Sequence, residues 1–168
     1  MQKLEIERKF LLKSLPKRDP DEIIDIDQFY MKRSGRWERA RTWFSDKTDN
    51  RKWIHTIKKS ISKKINMEDE KFLTEDEYNT FVDECIAHTD SKYISKKRYI
   101  YKEGALKWEV DMFDSGYHLI IAELEIPDEN FKIEFPDYIK DVLLLEVTGL
   151  KQFSNRNLSL PIQMSHHF

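Results

Sequence analysis

Charged residues recur in this sequence at a spacing of two, and like is grouped with like. Glu5 and Glu7 are followed by Lys9, Arg39 stands with Arg41, and Glu68 with Glu70. Further on come Lys96 with Arg98, Glu109 with Asp111, and Glu123 with Glu125, while Lys58 lies two residues beyond Thr56. Residues i and i+2 of an extended strand share one face, so each pair concentrates one sign of charge. Neighbouring like charges repel, and a face turned to water has no need to sort them. Sorted charge suits a ligand with two kinds of charge of its own. Grouped carboxylates suit a hard divalent cation, Mg²⁺ or Mn²⁺, which takes oxygen ligands and bridges to phosphate oxygens. Grouped bases suit a polyanion, because each guanidinium offers phosphate oxygens a fork of donors. The bland alternative is a sandwich or open sheet whose charged faces look onto solvent, where a pair contributes little.

The elements that must position these residues read with a period of two. Candidate strands are Lys3–Leu12, Ile26–Arg33, Arg36–Phe44, Arg51–Lys59, Lys64–Phe72, Lys92–Lys102, Ala105–Phe113, Tyr117–Ile126 and Leu144–Thr148. In the first, Leu4, Ile6 and Phe10 alternate with the charged set and Arg8 is the exception. Ser34-Gly35, Glu103-Gly104 and Asp114-Ser115-Gly116 are turn sequences fit for hairpins, which implies an antiparallel meander. Thr74 with Glu77 three residues on forms a capping box. It predicts a helix whose apolar stripe is Tyr78, Phe81, Val82, Cys85 and Ile86. Pro136 suits a first helical position and opens a shorter helix running to about Val142. The expected fold is β-dominated α+β with helices packed outside, and closing the sheet into a barrel turns the charged faces inward around a wet lumen.

Composition narrows the function classes. The 168 residues carry 29 Lys+Arg against 31 Asp+Glu, a net charge of -2, which disfavours nucleic acid as a partner because such proteins carry an excess of base. At 39% apolar and 12% aromatic the chain is too rich in core formers to be disordered. With no linker, repeat or low-complexity tract, residues 1–168 are expected to form a single domain. The lone cysteine excludes an intramolecular disulfide framework, and no apolar run is long enough for a membrane span, so a cytoplasmic protein without a membrane partner is expected. A homodimer is left open. Four scattered glycines build no phosphate-binding loop, so side chains must bind any phosphate. His55, His88 and His118 lack ligand spacing, and His166-His167 sit at the terminus. Cys85 and the tryptophans Trp37, Trp43, Trp53 and Trp108 read as core, and the side of Glu146 is undecided.

The motifs resemble, in order, those of the CYTH superfamily of triphosphate tunnel metalloenzymes. Glu5-Ile6-Glu7-Arg8-Lys9 is similar to its E-x-E-x-K opening, Arg39-Ala40-Arg41 to R-x-R, Thr56-Ile57-Lys58 to T-x-K, Glu68-Asp69-Glu70 to E-x-E, and Lys96-Lys97-Arg98 to K-x-R. Trp108–Phe113, Glu123-Leu124-Glu125, and Glu146–Gly149 with Ser154-Asn155 resemble its closing motifs. The resemblance implies an eight-stranded antiparallel closed barrel and divalent-metal-dependent hydrolysis of a triphosphate, preferentially inorganic tripolyphosphate as in the small prokaryotic tripolyphosphatases. Glu5, Glu7, Asp111, Glu123 and Glu125 are the implied metal ligands. Glu68, Glu70 and Glu109 are candidates for a second metal or for orienting a neighbour. Lys9, Arg39, Arg41, Lys58 and Arg98 would clamp phosphate, and Lys96 with Tyr30 would position the attacking water. Adenylate cyclase, thiamine triphosphatase and a polyphosphate- or nucleotide-binding module remain rival readings.

Overall fold

A computed structural model describes residues 2–48, 51–114 and 118–162. Eight long strands arise where alternation is strongest: β1 Gln2–Leu12, β2 Glu22–Arg33, β3 Arg36–Ser45, β4 Arg51–Ser60, β5 Ile65–Leu73, β6 Ser91–Glu103, β7 Leu106–Phe113 and β8 Ile120–Glu125. Their order around the sheet is β6-β2-β3-β4-β5-β1-β8-β7, and β6 also pairs β7, so the sheet closes on itself as an eight-stranded antiparallel barrel. The β2–β3 hairpin turns on Ser34 and Gly35, both at positive φ (50° and 73°), with Arg33 opposite Arg36. Two positive φ angles match the right-handed twist of the strands that follow.

β1 is the seam of the barrel. Gln2–Ile6 pair with β5, Glu7–Leu12 pair with β8, and β9, Leu143–Glu146, pairs with Phe10–Leu12 along the edge that β5 leaves. A 3-10 turn at Lys151–Phe153, the one-turn helix α3 at Asn155–Leu158, and β10 at Leu160–Pro161 beside β6 complete the described chain.

The hydrophobic cores lie mainly outside the barrel wall. The helix α1, Glu75–Ala87, begins with the expected box: Thr74 Oγ1 accepts from the Glu77 amide while Glu77 returns to the Thr74 amide. Its buried Tyr78, Phe81 and Cys85 cover Met31 and Ala40 on the outer face of β2 and β3. Ile86 is the correction to the expected stripe: it is 46% exposed, on the edge of the helix that turns away from the sheet. The second cluster buries Phe10, Trp108, Val110, Ala122 and Leu124 beneath Ile133, Ile139 and Val142, each large side chain contributing roughly 1.5–3 kcal/mol. The short helix α2 spans only Asp137–Lys140, with Pro136 as its N-cap and not its first residue. β2 begins at Glu22, four residues before the expected start, because Asp46 anchors the Ile23 amide and extends the hairpin. Tyr117 and the turn residues Ser115 and Gly116 lie outside the described residues, as do His166 and His167. Among the described residues no helix is long and apolar enough to cross a membrane.

Candidate active site

With the outer faces buried in apolar clusters, the alternate residues point inward. A cavity of about 610 Å³ runs through the interior, lined by Glu5, Glu7, Lys9, Tyr30, Arg39, Arg41, Lys58, Glu68, Arg98 and Glu123 among the expected residues. That volume lies within the range of about 300–1,000 Å³ common for small-molecule sites. Arg8, the exception to the alternation, points outward. It forms a two-pronged bond to Glu146, Nε to Oε2 at 2.9 Å and Nη2 to Oε1 at 2.7 Å, which settles Glu146 as a surface partner of β1.

On one side carboxylates gather around an ammonium. Lys58 Nζ lies 3.4 Å from Glu5 Oε1, 3.5 Å from Glu7 Oε1 and 3.8 Å from Glu68 Oε1. Burial pushes the Glu5 carboxyl above its ordinary range, with Lys58 opposing. Glu7 is pushed up further, by burial and then by the negative charge of Glu123. Lys58 rises as well, because Glu7, Glu5 and Glu123 outweigh its own burial. Among the described residues no three carboxylate, imidazole or thiol groups close on a common point as a metal cage; Lys58 occupies the point toward which Glu5, Glu7 and Glu68 turn. Half-buried Glu5 and Glu7 with buried Glu68, gathered about one ammonium, offer carboxylate oxygens of the kind a hard divalent ion takes.

On the other side stand bases with unused donors. Arg39 Nη2 donates to Thr56 Oγ1 at 3.2 Å, and Arg41 stacks over Trp43 at 5.0 Å. Yet Arg39 Nε and Arg41 Nε are both buried without a hydrogen-bond partner. Buried unpaired donors are costly, and the side chains that carry them line the cavity. Burial, followed by the charges of Arg39 and Arg98, lowers Arg41 to about 9, so an arriving anion would relieve it. Lys9 Nζ reaches Glu123 Oε1 and the Phe153 carbonyl, each at 3.4 Å. Burial alone would raise Glu123, but Lys9, Arg98, Lys96 and Lys58 hold it far below the usual carboxylate range.

Behind this wall lies a closed knot of charge. Arg98 grips Asp111 through Nε and Nη2 (2.8 and 3.0 Å) and Glu109 through Nη1 (2.7 Å), and Lys96 Nζ sits 2.8 Å from Asp111 Oδ2. Burial lowers Lys96 to about 7 even with Asp111 beside it. Burial also opposes the charge of Asp111, but Arg98 and Lys96 keep its carboxyl below the ordinary range. Both Asp111 oxygens are thereby committed to cations. Asp111, Lys96, Glu70 and Glu109 lie outside the cavity lining, as does Glu125, which is exposed at the end of β8. Glu70 stays near the bases, 3.9 Å from Arg41.

Gln28 and Arg156 have no place in the sequence reading, which puts Trp37 in the core and Asn155 in a closing motif without a role. Gln28 is fully buried on β2, its Nε2 donating to Tyr30 Oη at 3.1 Å. Trp37 lines the cavity beneath Arg156, 5.1 Å from its ring centre. Asn155 also lines it and accepts from Lys96 Nζ at 2.9 Å. The inward spacing of Gln28 with Tyr30 and of Trp37 with Arg39 was a readable signal; Asn155 and Arg156 fall in a segment with no periodicity. Gly149 brings that segment in. At φ 75° it leaves no room for a side chain, since a Cβ would lie 2.8 Å from Lys63 Cβ.

An inorganic triphosphatase of Acetivibrio thermocellus is 42% identical over 66 residues, a stretch covering 39% of this chain and 40% of that protein's length. Among solved structures, a provisionally named adenylate cyclase of Bacillus halodurans superposes with a TM-score of 0.53 at 12% identity, covering 83% of this chain and 97% of that one. A conserved protein of Pyrococcus furiosus gives 0.50 at 18% identity, over 75% and 80% of the two chains. A protein of Pyrococcus horikoshii OT3 gives 0.50 at 15%, with the same coverage. These structural likenesses are of fold. No protein-family model matches the chain. The barrel and the ordered motifs agree with the CYTH resemblance.

Proposed function

We propose that this chain is a divalent-metal-dependent triphosphatase whose preferred substrate is inorganic tripolyphosphate. The observation that carries the reading is the pair of guanidinium groups of Arg39 and Arg41, which line one cavity with the Glu5–Glu7–Glu68 cluster around Lys58. A metal alone would leave the donors unused, and an anion alone would meet the carboxylates. A triphosphate bound with its cation satisfies both. The relative from Acetivibrio thermocellus, named for inorganic triphosphatase activity, supports the choice of substrate.

Glu5, Glu7 and Glu68 would hold the metal, Mg²⁺ or Mn²⁺, with Glu123 beside them. Once bound, that ion neutralises phosphate charge and polarises the phosphoryl oxygens. Lys58, displaced from the carboxylates, joins Arg39, Arg41 and Lys9 in holding the chain in line. Positioning and charge neutralisation supply most phosphoryl-transfer catalysis. A water in the cavity bonds to the terminal phosphorus as the bond to the neighbouring phosphate breaks and the water's proton passes to a phosphoryl oxygen, while Lys96, buried behind the lining, positions Asn155, which lines the cavity. Tyr30, held by Gln28, orients that terminal group.

Phosphate release and cyclic AMP formation, measured together on tripolyphosphate, ATP and thiamine triphosphate, test the proposal. Tripolyphosphate is expected to be hydrolysed with kcat/KM at least tenfold above ATP, because the described lining is dominated by charged side chains that match phosphates. Cyclic AMP as the main product from ATP would replace the hydrolase by a cyclase, and binding without release of phosphate would reduce it to a binding module.

A further inference from the structure

The side chain of Asn155 has its two ends sorted by its neighbour. Lys96 Nζ is held by Asp111 Oδ2 at 2.8 Å, a group that only accepts, and by Asn155 Oδ1 at 2.9 Å. An amine at this position has at least two N–H donors in either protonation state, so both acceptors are served and Asn155 must present its carbonyl oxygen to Lys96. Its amide nitrogen, with two donors, is the end left for the cavity that Asn155 lines. The backbone of Asn155 is pinned as well. Ser159 Oγ donates to its carbonyl at 2.6 Å, and Phe153 and Leu158 on either side pack against Tyr30, Ile94, Phe113 and Ile121. The adjoining residues are cationic: Arg156 lies over Trp37, and Lys9 reaches the Phe153 carbonyl.

We propose that Asn155 is a substrate-contacting residue, its side-chain NH₂ donating to a phosphoryl oxygen of the bound phosphate chain while its carbonyl oxygen is held by Lys96. The inference deepens the triphosphatase reading and rests on it for the identity of the ligand. It adds a neutral donor, fixed by the C-terminal segment, to the cationic clamps of the barrel strands. It also links the group that grips the chain directly to Lys96.

Asn155→Asp separates this role from mere anchoring. The aspartate still accepts from Lys96, and more strongly, but turns an acceptor toward phosphate where a donor stood. Binding of a non-hydrolysable tripolyphosphate analogue in the presence of Mg²⁺ is measured by calorimetry for the wild type, Asn155→Asp and Asn155→Ala, with the ligand-free melting temperature of each and phosphate release from tripolyphosphate by the wild type. Losing one donor to a charged group is expected to weaken binding about tenfold in Asn155→Ala, and replacing it by a carboxylate about a hundredfold in Asn155→Asp. Asn155→Asp is expected to melt no lower than the wild type. Wild-type affinity in Asn155→Asp would overturn the proposal, leaving Asn155 as an anchor for Lys96. Should Asn155→Asp prove unfolded, the tenfold loss in Asn155→Ala decides, and wild-type affinity there overturns the contact. A wild type that binds the analogue without hydrolysing tripolyphosphate sinks the hydrolase reading alone, and one that does not bind the analogue sinks both.

Discussion

Lys96 is the residue whose environment most constrains the chemistry. Burial lowers it from its ordinary range to about 7, although Asp111 pulls the other way. An amine titrating there changes charge near neutral pH, and with it the hold on Asp111 and on Asn155 at the cavity wall. The free-enzyme profile, kcat/KM against pH, is therefore expected to show a limb near pH 7, where the amine that holds Asn155 changes charge. Lys96→Arg, which stays protonated, should lose that limb, and an unchanged limb would assign it to another group. The sign for stability follows from the same shift. Between about 7 and its ordinary value the unfolded chain binds the proton and the folded chain does not, so this group's contribution grows as pH rises through that window. At the residue level much of the site was legible. Glu5, Glu7, Lys9, Arg39, Arg41 and Lys58 all line the cavity, because strand periodicity decides which side chains share a face. What periodicity cannot say is which charges cancel one another. Asp111 belongs to a metal-binding pattern in sequence, yet two cations take both its oxygens.

Elements show the same division between what is local and what is not. The α1 capping box and the Ser34-Gly35 turn were readable because their bonds close within a few residues. The segment after β9 was not readable, since the 3-10 turn at Lys151–Phe153 and the helix α3 span only three and four residues, too short for a hydrophobic period. Its placement depends on one backbone position. Gly149 combines a φ of 75° with a Cβ position 2.8 Å from Lys63 Cβ and 3.2 Å from Lys63 Cα, so a side chain there meets both strain and backbone. Gly149→Ala is expected to cost about 1–3 kcal/mol, a fall in melting temperature of roughly 2–12 °C for a chain of this size. Because the segment carries Asn155 and Arg156 to the cavity, KM for tripolyphosphate should rise as well. A lowered melting temperature with unchanged KM would show that the segment does not contribute to substrate binding.

The whole barrel could be anticipated from the sorting of charge but not from any local rule. The turn sequences predict β2–β3, β6–β7 and β7–β8 pairing. The closing contacts, β2 with β6 and β1 between β5 and β8, join strands far apart in sequence. The reason to close the sheet was that sorted charges gain nothing from solvent, and closure has a thermodynamic consequence. Glu5 and Glu7 are pushed up by burial, and Arg41 is pushed down by burial and by neighbouring arginines, so the ligand-free interior holds charge at a cost. Metal and triphosphate together bring opposite charge to both sets, and they bind only the folded chain. Stability should then rise by RT ln(1 + [L]/Kd), roughly 2.7 kcal/mol at one hundred times Kd, a melting shift on the order of 5–10 °C. With a non-hydrolysable tripolyphosphate analogue, the shift should be larger when Mg²⁺ is present than when it is absent. The Mg²⁺-dependent part should shrink as pH falls into the raised range of Glu5 and Glu7, above that of ordinary carboxylates, because protons compete for the same oxygens. Charged faces that looked onto solvent would give only screening at moderate salt. A melting point indifferent to both analogue and Mg²⁺ would therefore overturn the assignment of this interior as a triphosphate site.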